Sequence, residues 1–242
     1  EAGTAITTGD NNTAVGYNAG AAVTTGTRNT FMGSNAGDAV TEGTFNSAFG
    51  HNSLGANVTG THNTAIGDFS LALNTGTENT AVGQGSLEAN TSGNYNTAVG
   101  KSAGGALTTG VENVFVGVIA GDALTDADYN VAMGSNSLTT DTLGSRSVAI
   151  GAYTLSAQNF TTATDGYNVA VGYNAGNDIT TGLRNNLFGA FAGDSLTDAD
   201  DNVAIGDSAL NSDTLGSKSV AIGRATLASQ NFTTATDSFA TA

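Results

Sequence analysis

The sequence predicts an all-β chain, a parallel β-solenoid (β-roll) of about 13 coils with a 17-residue repeat. Three observations lead there. A glycine closes a five-residue phrase typified by Asn12-Thr13-Ala14-Val15-Gly16, and it returns at Gly33, Gly50, Gly67, Gly83, Gly100, Gly117, Gly134, Gly151, Gly172, Gly189, Gly206 and Gly223. A period this short is one turn of a stack and not a domain. Thr, Asn, Gly and Val dominate, and no stretch sustains the apolar stripe of a helix. Finally, the 242 residues include 34 Gly, no Pro and no Trp, with aromatics at 7%, so the core must be thin and built from small side chains. No Gly-X-Y register exists, which excludes collagen. Residues 1–242 read as a single repeat array.

Positions are counted from the repeat glycine. Asparagine stands at −4 in eleven of the thirteen units, and stacking predicts a side-chain amide ladder from coil to coil. Positions −4 to −1 form a strand. The large apolar residues at −1 (Val15, Met32, Phe49, Ile66 and their successors) and the Thr, Ser or Val at −3 are expected to point inward. Position −2 then faces outward: Ala14, Phe31, Ala48, Ala65, Ala81, Ala98, Phe115, Ala132, Ala149, Ala170, Leu187, Ala204 and Ala221. An apolar outward stripe of that length calls for a partner, and another copy of the chain is the simplest one.

After the glycine an exchange appears. Six units carry Gly at +4 with an aliphatic at +7, as in Gly20 with Val23 and Gly37 with Val40. The other seven carry Leu at +4 (Leu54, Leu71, Leu87, Leu138, Leu155, Leu210, Leu227) with a polar residue at +7. One aliphatic per coil thus enters the core from one of two places, conserving volume. Threonine at +8 and glycine at +10, as at Thr24 and Gly26, mark the return and its turn.

A longer repeat lies above the first. Residues 112–165 recur as 184–237, a shift of three 17-residue units and one of 21, so four extra residues are expected to bulge before Gly172. The two ends fall within a repeat, which reads as a window on a longer array.

Ser147-Val148-Ala149-Ile150-Gly151 and Ser219-Val220-Ala221-Ile222-Gly223, with Asn12-Thr13-Ala14-Val15-Gly16 and its copies as close variants, resemble the head repeat of YadA-type trimeric autotransporter adhesins. Similar repeats occur in phage tail-fibre proteins. About five residues per unit carry the likeness; the unit is longer than the family's, and no heptad stalk or membrane-anchor segment is present. The resemblance implies a left-handed parallel β-roll, a side-by-side homotrimer, and a surface adhesin that binds a host-surface protein or glycan.

Net charge is −15, from 21 acidic and 6 basic residues, which opposes nucleic-acid and anionic-membrane binding. Charged residues are only 11%, so neutral Asn, Thr, Ser and Gly must cover most of the surface, as suits an inert extracellular fibre on a cell or virion. No apolar run reaches the length of a membrane span, so no membrane contact by this segment is expected. Two functional classes follow: an adhesin or receptor-binding fibre, and a structural filament, or phage tail-fibre segment, that stacks end to end. The chain is not expected to be an enzyme, since no nucleophile, Walker or Rossmann phrase stands in a suitable context.

No cofactor is expected, with calcium the one candidate. Asp126, Asp128, Asp198 and Asp200 supply oxygens of the kind Ca²⁺ takes, although neither an EF-hand loop nor an RTX repeat is present; the alternative is stacked surface carboxylates at a turn. His51 and His62 have no Cys or third His with which to build a zinc site and read as surface residues. Tyr17, Phe69, Tyr153, Tyr173 and Phe191, just past the corner, offer either a sugar-stacking surface or packing at the corner.

Overall fold

The computed structural model describes residues 1–242. It is all-β and holds no helix. The chain forms parallel stacked coils in two compact units, Glu1–Val116 and Gly117–Ala242. In the first unit the coil strands are Thr13–Val15, Thr30–Met32, Ser47–Phe49, Thr64–Ile66, Thr80–Val82, Thr97–Val99 and Val114–Val116. In the second they are Val131–Met133, Val148–Ile150, Val169–Val171, Asn186–Phe188, Val203–Ile205 and Val220–Ile222. Pairing is parallel and keeps the repeat in register, for example Thr64↔Thr80, Ala65↔Ala81 and Ile66↔Val82. Coil-to-coil hydrogen bonds continue beyond the strands: Gly33 N donates to Val15 O (2.9 Å), Asn35 N to Tyr17 O (2.8 Å) and Thr24 N to Thr41 O (3.0 Å). Each coil is therefore held mainly by its neighbours in the stack, as in other solenoids.

The amide ladder forms. Asn63 donates from its backbone N (3.0 Å) and Nδ2 (3.2 Å) to Asn46 Oδ1, and from Nδ2 to Gly76 O (2.9 Å). Its own Oδ1 accepts from Asn79 N at 3.0 Å. Where Ser147 replaces the asparagine, the neighbouring +7 residue supplies the missing amide: Gln158 Nε2 reaches Ser147 Oγ, and its Oε1 accepts from Asn168 Nδ2 at 2.9 Å. The polar +7 residues Asn57, Asn74, Asn90, Asp141, Gln158 and Asp213 are thus buried, and all but Asn57 join this side-chain network, while Asn57 closes its own turn on Gly60. Replacing Asn63 by Ala orphans several buried groups and is expected to cost about 2 kcal/mol, measurable by urea denaturation.

The faces of the strand are the reverse of those the sequence suggests. Phe31, Ala48, Ala65, Ala81, Ala98, Phe115, Ala132, Ala149, Ala170, Leu187, Ala204 and Ala221 are all 0% exposed and form the core, with Ala14 half-buried in the first coil. The −1 residues point out. The physical reason is volume, since a coil this narrow has room for methyl groups opposite the strand and not for a row of Val, Ile and Met. The bulky residues at −2 mark where space has been made. A Cβ on Gly37 would lie 2.5 Å from Phe31 Cε1, and one on Gly20 2.9 Å from Phe31 Cδ2. Leu187 stands likewise against Gly176 and Gly193, each at 2.8 Å. Position +4 therefore faces −2 across the interior, and the +4/+7 exchange works as expected: Leu54, Leu71 and Leu87 are buried, as are Val23, Val40 and Leu107 in the Gly units.

The backbone turns through left-handed residues at −5, +2 and +4, such as His62 (φ 60°), Phe69 (φ 55°) and Leu71 (φ 50°). The repeat glycine differs. Gly67 has φ 132°, and a Cβ there would sit 2.5 Å from Gly83 O on the next coil. Only glycine permits both the angle and the approach. The 21-residue unit ending at Gly172 makes a second short parallel pairing with the preceding coil, Thr164–Asp165 with Gly144–Ser145, and tucks Phe160 inward at 5% exposure. Asp141 anchors this segment, accepting from Gly144 N (3.1 Å), Phe160 N (2.9 Å) and Gln158 Nε2 (2.6 Å). Burial nonetheless pushes its carboxyl above the usual range.

Candidate self-association face

The outward side of each unit's sheet carries two rows. One holds the large −1 residues, exposed in nine of the thirteen coils (Val15 is 52% accessible, Met32 45%, Ile66 41%, Ile205 40% and Ile222 59%) and half-buried at Phe49, Val82, Val116 and Val171. The other holds the half-buried −3 residues, which are Thr or Ser up to Thr97 in the first unit and mainly Val in the second. Parallel, in-register pairing spaces these rows evenly, about 4.8 Å per coil. No charged side chain stands in either row. Rows of exposed Val, Ile, Met and Phe in sequential coils are the kind of apolar surface that soluble proteins normally cover. The site read from the sequence thus moves by one residue along each strand while its chemistry stays.

The other sequence candidates scatter. Asp200 Oδ1 accepts from Leu183 N (2.8 Å) and Asp198 Oδ1 from Thr181 Oγ1 (2.7 Å), so both carboxylates bond the preceding coil. Asp128 accepts at its backbone carbonyl from Arg146 N and donates its own N–H to Ser145 Oγ. Asp126 and Asp128 join no wider cluster, for no group of three or more His, Cys, Asp or Glu is placed to hold a metal ion. His51 Nδ1 meets Asp68 Oδ1 at 2.9 Å, and the His62 ring stacks on Phe45 at 4.7 Å. Tyr153, Tyr173 and Phe191 pack edge to face on one another, with centroids 6.1 and 5.4 Å apart, which is packing along the corner.

A carboxylate that sequence reasoning passed over is Asp194. Burial, and then the nearby Asp178, push it up to about 6, and one of its oxygens is buried without a hydrogen-bond partner. A raised folded-state value means that the fold binds this proton more tightly than the unfolded chain does. Its contribution therefore favours the fold at low pH and is lost as pH rises from about 4 through about 6. Asp194→Asn should stabilise the protein at pH 7 by ~1 kcal/mol, after allowing for solvent screening of a partly exposed group, and leave it unchanged at pH 4. Thermal melts at the two pH values check this.

No family model, no curated protein and no solved structure matches the chain.

Proposed function

We propose that the chain is a segment of an extracellular, adhesin-like fibre in which copies associate side by side through the outward sheet face. The observation that carries this reading is the −1 row, a large aliphatic or aromatic residue in every coil, exposed in most of them, with no charge in that row or in the −3 row next to it. Burying such a row gains on the order of 25 cal/mol per Å² of apolar surface, and a repeat with a fixed rise lets every coil match its counterpart in the partner. The SVAIG phrases favour three copies, as their resemblance to trimeric adhesin heads implies. The surface away from this face is rich in Asn, Thr and Gly and acidic, so it resists indiscriminate association and leaves the outer corners free to meet a receptor or glycan. Sedimentation equilibrium at micromolar concentration tests the proposal. The expected result is a discrete species of three chains; a monomer would refute it, and open-ended polymers would favour a filament instead.

A further inference from the structure

Away from the sheet, the first unit holds a groove of about 380 Å³. It arises from one row of the repeat. Position +5 is Asp38, Gly55, Ala72 and Glu88 in four successive coils, so two coils with little or no side chain lie between two carboxylates. Ala56 and Leu73 at +6 form an apolar floor and wall, and the Phe69 ring closes one side. That ring is held by an edge contact with His51, centroids 5.1 Å apart. Neither Asp38 nor Glu88 forms an ion pair in the chain, and no Lys or Arg lines the groove. Three coil spacings put the two backbone positions roughly 14 Å apart, and the Asp38 carboxylate leans in toward Gly55, its Oδ1 3.8 Å from where a Cβ there would sit.

We infer that this groove binds a linear polyamine, with an ammonium group at each carboxylate and the methylene chain along Gly55, Ala56, Ala72 and Leu73. The chemistry matches at each point. A cation supplies the counter-charge that neither acid has within the chain, and hydrocarbon covers apolar floor. The Phe69 ring is part of the groove lining, where an inner ammonium can meet an aromatic surface. A metal ion fits less well, because it would want three or more oxygen ligands converging, and here two acids stand at opposite ends. Burial already pushes the Asp38 carboxyl up, as expected for an acid facing an apolar groove without its counter-ion.

A chain of net charge −15 attracts any polycation, so the test must separate the groove from the general field. Spermine binding is measured calorimetrically at 0.15 M salt on the full chain, with Glu42→Gln as a charge control outside the groove lining. Gly55→Leu fills the groove without changing charge. Gly55 lies outside the left-handed region, and a Cβ there would come no nearer than 3.4 Å to a neighbouring atom, Asn52 O, so the fold should accept it. Ala72→Leu serves as a second filling variant. Expected results are a loss of about tenfold or more for either filling variant, about fivefold or more for Asp38→Asn and Glu88→Gln, and less than twofold for Glu42→Gln. Wild-type affinity in both folded filling variants, or an equal loss in Glu42→Gln and Asp38→Asn, would overturn the inference.

Discussion

Phe31→Ala is expected to destabilise the first unit by about 3–5 kcal/mol, the cost of emptying a fully buried aromatic site that cannot collapse. Gly37→Leu alone should also be severe, about 3 kcal/mol or more, because the new side chain meets the Phe31 ring from a Cβ only 2.5 Å away. Together the two changes should recover much of the loss. The double variant restores the −2/+4 pair of the third coil, Ala48 with a buried Leu54 at φ 55°, while Val40 stays buried at +7 where that coil has Asn57, so the left-handed leucine is not foreign to the stack but the recovery is partial. Chemical denaturation of the four proteins in the cycle measures the coupling, expected to favour the pair by 2 kcal/mol or more on the order set by contacting residues. Additive losses would mean that +4 and −2 do not share one interior space.

Charging the outward row should have the second large effect. Ile150→Lys with Ile205→Lys places two ammonium groups where each copy would bury an aliphatic side chain, at roughly 1.5–3 kcal/mol lost per residue before the cost of desolvating the charge. Association should weaken by about a thousandfold or more, giving monomers at micromolar concentration with an unchanged circular dichroism spectrum. Both positions are exposed in the single chain, so the coil itself should tolerate lysine there. Unchanged mass in a folded double variant would place any association elsewhere.

Much of the fold could be read directly from the repeat. The period, the parallel register, the Asn ladder and the exchange between Leu54-type and Val23-type residues all follow from residues recurring at fixed positions. The direction of the strand did not follow by alternation, because −2 and −1 are both apolar, and a strand apolar on two faces does not announce which is inside. Volume could have decided it. The six glycines at +4 come in three adjacent pairs (Gly20 and Gly37, Gly104 and Gly121, Gly176 and Gly193), and each pair brackets one bulky −2 residue: Phe31, Phe115 or Leu187. That correlation has meaning only if both positions share one interior. The buried role of Gln158 and Asp141 was hidden for another reason, since a polar residue at +7 looks solvated until the ladder that satisfies it is built. The groove was hidden because it consists of missing side chains, at Gly55 and Ala72, between two acids three coils apart.

Thiol labelling bears most directly on the central claim, that −2 is inside and −1 is an outward face covered by a second copy. The chain has no cysteine, so a single one can be placed at will. Ala204→Cys and Ile205→Cys put thiols on adjacent residues of one strand, 0% and 40% exposed. Ala204→Cys should resist maleimide at every protein concentration until the protein unfolds. Ile205→Cys should react slowly when concentrated and faster on dilution, as copies separate. Rapid native labelling at Ala204→Cys, or a concentration-independent rate at Ile205→Cys, would contradict that claim.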